Sequence, residues 1–240
     1  MRGGLWLLIL GIALAQKKGR SAPPPASSDT FPSIAVKVYQ QAQRYGDVFT
    51  QIYALHWRLA AEGASFALRD TLAQTYFQAG LFRQCINVVE ELLRENPRST
   101  DLLELRALAY LYLQDQKNAL DAYEKLYELT QSPLYLYQVI TLQFNLQRYG
   151  ECQANIERLL ATPESERLRI RISTPDGQSQ EVPLRAAAWN VRGVLLRTQK
   201  EHSRAKAAFE EALKIYPDFL LAKGNLEDLQ KELSSQPPKK

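Results

Sequence analysis

The stretch Ala186–Phe219 constrains the fold more than any other part of the chain. Its apolar residues recur at the spacing of two antiparallel helices that pack together within 34 residues. The small residues Gly193 and Ala205 let the helices approach closely, and Phe209 fills the groove between them. Pro217 ends the second helix, because its ring cannot continue one. Since one helical pair cannot bury its own apolar faces, the pattern predicts further pairs stacked beside it.

Similar units precede this stretch at Phe66–Ser99 and Thr100–Ser132. Their small residues at the two close-approach positions are Ala73 and Cys85 in the first and Ala107 and Ala119 in the second. Gly80 is expected to form the turn between the helices of the first of these units. The chain is therefore expected to contain several stacked helical pairs.

A third unit spans Pro133–Pro163, and the register of its first helix is ambiguous by one residue. Counting back from Cys152 puts Ile140 at the close-approach position. A requirement for an aromatic residue three positions later instead favours Thr141, which is followed by Phe144. The sequence leaves both registers open.

The last unit resembles a tetratricopeptide repeat (TPR), whose helices follow the patterns W-x2-L-G-x2-Y and A-x3-F…P. The matching residues are Trp189, Gly193, Ala205, Phe209 and Pro217. Arg192 and Leu196 stand where the family pattern has Leu and Tyr. The resemblance extends over roughly residues 66–234. It implies an all-α, right-handed TPR helical solenoid that acts as a binding scaffold.

The two ends of the repeat region are less regular. Residues 31–65 look like a degenerate N-terminal helix pair. Residues 220–234 predict a capping helix, because four apolar residues share one helical face while the rest is mostly polar. The predicted organisation is then three TPR units at 66–163, an insertion at 164–185, a fourth unit at 186–219 and the cap, with disordered segments at 16–30 and 235–240.

The N-terminus has the features of a secretory signal peptide over residues 1–15. Leu5–Leu14 forms the apolar core, and Ala13-Leu14-Ala15 matches the cleavage pattern. The alternative is an uncleaved anchor, but the apolar run is about half of the 20 residues that a bilayer span needs. We therefore expect an exported chain that resides in the periplasm, with secretion as the alternative. We expect no stable membrane insertion after cleavage.

The formal net charge of +4 does not come from the predicted repeats. Six of the 30 basic residues lie near the chain ends, which leaves 24 basic against 26 acidic residues. These six are Arg2, Lys17, Lys18, Arg20, Lys239 and Lys240. A nucleic-acid binder carries its basic face on the structured part of the chain, so we expect no nucleic-acid partner.

The sequence has no Gly-rich phosphate loop, G-x-S-x-G elbow or H-E-x-x-H motif. The two histidines, His56 and His202, fall in different units and lack metal-ligand spacing to a second His or a Cys. We therefore expect a protein that is not an enzyme and that uses no cofactor or metal.

The TPR resemblance also implies where a partner binds. In this family ligands usually lie in a concave groove lined by positions 2, 5, 9, 12 and 13 of each unit's first helix. When these positions are transferred to the four units of this chain, they give the following candidates. These are Gln74, Phe77 and Gln78 in the first unit, Leu108, Leu111 and Tyr112 in the second, Tyr137, Thr141, Phe144 and Asn145 in the third, and Asn190, Val194 and Arg197 in the fourth. The acids Asp70, Asp101 and Glu104 lie at equivalent positions. This mixture suits a protein or an extended peptide. The alternative is that the apolar members simply pack against the next unit.

Residues 164–185 interrupt the helical pattern. Leu168, Ile170 and Ile172 alternate with Arg167, Arg169 and Arg171, which is the period of a β-strand. Turn residues follow at 174–177, and Ser179–Val182 can return as a second strand. The hairpin is either an insertion packed on the edge of the solenoid or an interaction arm that presents its arginines to a partner.

These features favour an exported TPR scaffold or adaptor that binds protein partners through its groove. The alternative is a non-catalytic accessory subunit of an envelope enzyme or of an outer-membrane or cell-wall assembly machine. Cys85 and Cys152 occupy the same position two units apart, which is too far for a disulfide. We predict two free, buried thiols.

Overall fold

The structure, a computed structural model, describes residues 30–174 and 177–235. The predicted signal peptide, nearly all of the 16–30 segment and most of the 235–240 tail lie outside the described residues. The described part contains eleven α-helices in tandem and one two-stranded antiparallel sheet. The helices are α1 (Phe31–Tyr45), α2 (Val48–Glu62), α3 (Phe66–Gln78), α4 (Phe82–Glu95), α5 (Thr100–Tyr112), α6 (Gln116–Thr130), α7 (Pro133–Asn145), α8 (Tyr149–Ala161), α9 (Leu184–Thr198), α10 (His202–Ile215) and α11 (Leu220–Ser234). Strands β1 (Arg169–Ser173) and β2 (Ser179–Pro183) lie between α8 and α9, after a short 3₁₀ helix at Pro163–Glu166.

Five helical pairs share the same connecting turn. In each turn one residue adopts a left-handed backbone conformation, with φ between 58° and 72°. These residues are Gly46, Gly80, Gln114, Gln147 and Lys200. The next residue donates its N–H to a carbonyl five positions earlier, as in Asp115 N to Tyr110 O at 2.9 Å. This bonding satisfies carbonyls at the end of the first helix and reverses the chain in the same way in every pair.

The spacing of these turns defines the repeat. Successive left-handed residues are 34, 34, 33 and 53 residues apart, and the long step contains the β-hairpin. The N-terminal pair α1–α2 is therefore built like the others. It has Tyr39 and Gln51 at the positions where the other units carry their close-approach residues, which is why its sequence matches the pattern poorly.

The structure resolves the register of the third unit. Ile140 is fully buried and lies seven residues before the left-handed Gln147, as Ala73 does before Gly80. The Cys152 thiol lies 3.5 Å from the Ile140 carbonyl oxygen. Ile140 is thus the close-approach residue, and the register that placed Thr141 there is wrong.

The core is a series of clusters formed between consecutive helices. Leu92, Leu126 and Leu159 occupy equivalent places in the second helices of three units, and all are fully buried. Cys85 and Cys152 are buried, free thiols, as predicted. Burial raises the pKa of each to about 12. They fill the space that Ala119 fills in the pair α5–α6 and that Ala205 fills in the pair α9–α10.

The β-hairpin packs its apolar side on the last part of the solenoid. Ile170 is paired with the fully buried Val182 across the two strands. Both contribute to a cluster with Ala187 and Phe219. The Gln180 side chain bridges the α10–α11 turn, since its amide donates to Asp218 O at 2.8 Å and accepts from Leu220 N at 2.9 Å. The hairpin is therefore packed on the solenoid edge along one side.

Within residues 30–174 and 177–235, no helix combines the length and the apolar character that crossing a membrane requires.

Candidate partner-binding groove

The predicted groove residues lie on the first helices of four units, in α3, α5, α7 and α9. They differ in exposure. Gln74, Gln78, Tyr112 and Asn145 are exposed, whereas the apolar members Leu108, Leu111 and Phe144 are half-buried. Leu111 also packs at the edge of the core cluster shared by the first units. The alternative of packing between units thus holds for part of the apolar set.

Three aromatic rings form the most pronounced feature of this face. Phe82 stacks on Tyr112, with ring centroids 4.6 Å apart and planes 6° from parallel. Phe77 meets both rings edge-on, at 5.3 Å from Phe82 and 5.6 Å from Tyr112. We call these three residues the aromatic cluster. Tyr112 keeps 63% of its surface exposed, so the cluster offers a flat ring to a partner.

Phe82 was missed by the sequence analysis, because it begins the second helix rather than lying on the first. A signal was available in the third unit. Tyr149 occupies the same place as Phe82, and its ring lies 5.8 Å from that of Phe144. Phe144 is in turn the counterpart of Phe77. The aromatic pair at the turn end of the unit therefore occurs in both units.

The groove face is acidic near the starts of α3 and α5, whereas Phe77 and Tyr112 of the aromatic cluster lie at the ends of these helices. Burial raises the pKa of Asp70, and the nearby charge of Asp101 raises it further. Gln74 partly offsets this by donating from Nε2 to Asp70 Oδ2 at 2.9 Å. Burial likewise raises the pKa of Tyr135, and the charge of Glu104 adds to the effect. A partly buried carboxylate beside a second acid favours a cationic neighbour.

The four predicted groove residues of the third unit do not form one continuous surface. Tyr137 packs against two core clusters, both of which also include Ile170 of the hairpin, and burial raises its pKa to about 12. The Thr141 hydroxyl donates to Gln138 O at 2.9 Å. Of this set, Phe144 and Asn145 lie nearest the turn, where the aromatic pair with Tyr149 is found.

The fourth unit's candidates face the capping helix α11. Asn190 is only 4% exposed, and its Oδ1 accepts from Asn225 Nδ2 at 2.9 Å. Val194 packs with Leu226 in one cluster. Arg197 pairs with Glu232 at 2.9 Å. These contacts occupy the polar groups that a ligand would otherwise use in this unit.

The hairpin arginines remain at the surface. Arg167, Arg169 and Arg171 are all exposed. Arg169 donates to Glu181 O at 2.6 Å and lies 5.6 Å from the centre of the Tyr216 ring. Arg171 lies 3.6 Å from Glu181, and both side chains are largely solvated. The hairpin thus has a packed apolar side and a solvated basic side.

No cluster of three His, Cys, Asp or Glu side chains suited to a metal ion occurs within residues 30–174 and 177–235.

Comparison with known proteins agrees with this architecture. Sequence profiles of the tetratricopeptide repeat match residues 71–133 and 186–219. Among solved structures, YrrB, described as a TPR protein with an unusual peptide-binding site, superposes with a TM-score of 0.59 at 14% identity over 80% of this chain and 90% of its own. MamA superposes with a TM-score of 0.55 at 14% identity over 74% of this chain and 94% of its own. A MamA fragment from Desulfovibrio magneticus RS-1 superposes with a TM-score of 0.54 at 14% identity, over 70% of this chain and 85% of its own. No curated protein matches the chain significantly in sequence.

The profile matches cover two separate parts of the chain, and the repeated left-handed turns link those parts into one array. At 14% identity, the similar structures support the fold alone. Together these observations identify the chain as a tetratricopeptide-repeat protein.

Proposed function

We propose that this protein is an exported scaffold that binds an extended segment of a protein partner across α3, α5 and α7. TPR proteins mediate protein–protein interaction, and YrrB, a protein of similar fold, has a peptide-binding site. The observation that carries the proposal is the aromatic cluster with its exposed Tyr112 ring. Exposed aromatic rings beside polar groups are typical of sites where a partner is anchored.

The chemistry of this face suggests the partner's composition. An apolar or proline side chain would stack on Tyr112, because a ring buries a large area at small conformational cost. Asp70 lies on the same face near Asp101, and a positive charge there would stabilise its charged form. Because the acids and Tyr112 lie at opposite ends of the helices, the segment we propose has an apolar residue separated from a Lys or Arg by about five extended residues.

Binding is tested with the chain that begins at Gln16, the form expected after signal-peptide cleavage. It is used to capture partners from an envelope fraction, and affinities are then measured with peptides derived from them. Tyr112→Ala is expected to weaken binding by about 10-fold or more, the usual effect of losing an aromatic anchor. Asp70→Asn is expected to weaken binding mainly of peptides that carry Lys or Arg.

The matched control is Tyr45→Ala, which removes a more exposed tyrosine outside the four candidate helices. It should leave affinity unchanged. Equal binding by Tyr112→Ala and the wild-type protein, with helical content preserved, would rule out the aromatic cluster as the anchor.

Export is tested separately. The N-terminal sequence of the protein recovered from cells should start at Gln16, and the protein should fractionate with the periplasm. An intact N-terminus in the membrane fraction would instead indicate the uncleaved anchor.

A second candidate function is that of an accessory subunit in an envelope assembly machine. The observation that favours it is the solvated basic side of the hairpin, with Arg167, Arg169 and Arg171 exposed. Replacing all three by Gln removes the positive charges and leaves the Ile170–Val182 pair in place. Loss of a captured partner in this variant, but not in Tyr112→Ala, would assign the contact to the hairpin.

A further inference from the structure

The outer face of α2 is aromatic and solvent-exposed. Phe49, Tyr53 and Trp57 follow one another at intervals of four residues, so they form one row along the helix. Their side chains are 56%, 65% and 45% exposed. Phe31 extends the row, since its ring is 54% exposed and lies 5.9 Å from that of Trp57. We call these four residues the α2 aromatic face.

The other units provide an internal comparison, because the shared turn aligns them residue by residue. The positions of Phe49, Tyr53 and Trp57 are exposed in the second helix of nearly every unit. In the other units they carry Arg83, Asn87 and Glu91, then Lys117, Asp121 and Lys125, then Gly150, Ala154 and Arg158, then Ser203, Ala207 and Glu211. None of these residues is aromatic, and most are polar or charged. The aromatic character is therefore a property of the N-terminal pair α1–α2 and is not required by the repeat.

The size of this face points to a macromolecular partner. Each aromatic side chain has about 150–250 Å² of surface to bury, so four at about half exposure present roughly 400 Å². An apolar patch of this size is in the range that marks interaction sites. The four side chains would supply about half of the roughly 800 Å² per partner of a standard interface and so would form its centre.

The charge and geometry of α2 favour a second copy of the same chain. Its one basic and one acidic side chain, Arg58 and Glu62, pair with each other at 2.8 Å. A face without unpaired charge can meet its own image without repulsion. Residues four apart also form the ridge that interdigitates with an identical ridge in the commonest class of helix packing. A two-fold axis brings the same face of both chains together.

We propose that this protein forms a homodimer in which the α2 aromatic faces of two chains pack against each other. This surface is separate from the groove, since it lies on a second helix of the first unit. Each dimer would thus present two grooves to partners.

The test is sedimentation equilibrium on the chain from Gln16, over a range of about 1–200 µM. The wild-type protein should dimerise with a Kd in the low micromolar range or below, about −8 kcal/mol. The main variant combines Phe49→Arg, Tyr53→Asn and Trp57→Glu, which are the residue types of the unit that contains α4. Because that unit carries them on the same face, the variant should fold, and circular dichroism checks this. It should remain monomeric over the whole range.

Two further variants serve as a second test and as a control. Tyr53→Glu alone changes one exposed residue and should weaken dimerisation at least 10-fold. It provides the test if the triple variant does not fold. Tyr112→Ala, in the groove, should dimerise like the wild-type protein.

Several outcomes would overturn the proposal. A wild-type protein that is monomeric throughout, or a folded triple variant that still dimerises, excludes the α2 face as a dimer contact. Association of the 1–240 chain but not of the chain from Gln16 would assign self-association to residues 1–15. A wild-type monomer that pellets with phosphatidylglycerol-containing vesicles, while the triple variant does not, would assign the face to a membrane surface.

Discussion

The left-handed residue in each turn is the smallest feature that identifies the repeat. Two of the five such residues are glycines, whereas Gln114, Gln147 and Lys200 adopt the same conformation with a side chain. For a residue with a Cβ atom this conformation costs roughly 1–2 kcal/mol. The three residues therefore store strain that the surrounding helices offset.

Replacing Gln114 by Gly should relieve this strain. We expect the free energy of unfolding to rise by about 0.5–1 kcal/mol, because the gain is partly cancelled by the larger entropy of Gly in the unfolded chain. The measurement is urea unfolding followed by circular dichroism. Gln138→Gly, in the interior of α7, is the control and should lower stability by about 1 kcal/mol. A Gln114→Gly variant no more stable than the wild-type protein would show that the turn is not strained.

Gly193 and Gly224 form a second matched pair, since both lie inside helices. A Cβ atom at position 193 would lie 2.5 Å from Phe209 Cδ1 and 2.9 Å from Cζ, and Phe209 is fully buried. At position 224 it would meet nothing within 4 Å.

Gly193→Ala should therefore lower the free energy of unfolding by about 1–3 kcal/mol through overpacking. Gly224→Ala should raise it by about 0.5–1 kcal/mol, since alanine is the better helix former. Thermal and urea unfolding of the two variants measure the contrast. Equal effects of the two substitutions would contradict the close packing of α9 on Phe209.

Among single residues, the sequence predicted which small side chains allow close helix packing, but it did not predict which non-glycine residues adopt the left-handed backbone conformation. The small residues of the second helices, such as Ala119 and Ala205, were read correctly because size is visible in the residue type. Gly80 was recognised as a turn, whereas Gln114 and Gln147 were not, because their conformation is imposed by the helices on either side. Phe82 was missed because its groove role depends on stacking across two units.

Among the elements, the hairpin shows what a local sequence pattern can predict and what it cannot. Alternation of Ile and Arg predicted the first strand, and the turn residues after it predicted the return strand. It could not reveal which surface the strands cover, since Phe219 and Leu220 lie about 40 residues further along the chain. The asymmetry of the hairpin follows from the same alternation, with Ile170 inside and Arg171 outside.

The two sides of the hairpin should respond differently to substitution. Val182→Ala removes fully buried methyl groups and should cost about 1–2 kcal/mol of stability. Arg171→Ala should change stability by less than about 0.5 kcal/mol, because its ion pair with Glu181 is solvated. Thermal unfolding of both variants provides the comparison. If Val182→Ala proved neutral, the hairpin would be a separable arm and not part of the core.

Across the whole molecule, several buried weak acids share one direction of pKa shift. Burial raises the pKa values of Cys85, Cys152, Tyr123 and Tyr137 to about 12. In the unfolded chain these groups titrate near 9 for Cys and 10 for Tyr. Their contribution to stability is therefore fully present below about pH 8 and is lost as the pH rises from 9 towards 12.

We accordingly expect the thermal midpoint to fall steeply between pH 9 and 11. Replacing both cysteines by Ala, the residue found at the same position in the units with Ala119 and Ala205, should reduce the slope of this fall, because two of the titrating groups are removed. Calorimetry at several pH values measures both slopes. Identical slopes would show that the buried thiols do not couple folding to alkaline pH.

The placement of the hairpin also sets an order of events during synthesis. The four helical pairs from α1 to α8 complete their contacts with neighbours roughly one repeat away, so each can close soon after it leaves the ribosome. The hairpin cannot close in this way, because Gln180 bonds the backbone of Asp218 and Leu220. Its strands emerge early and must wait for the end of α10 and the start of α11. The last unit, the hairpin and the cap therefore depend on one another to fold, and a ribosome stalled before residue 219 would leave the apolar side of the hairpin uncovered beside finished repeats.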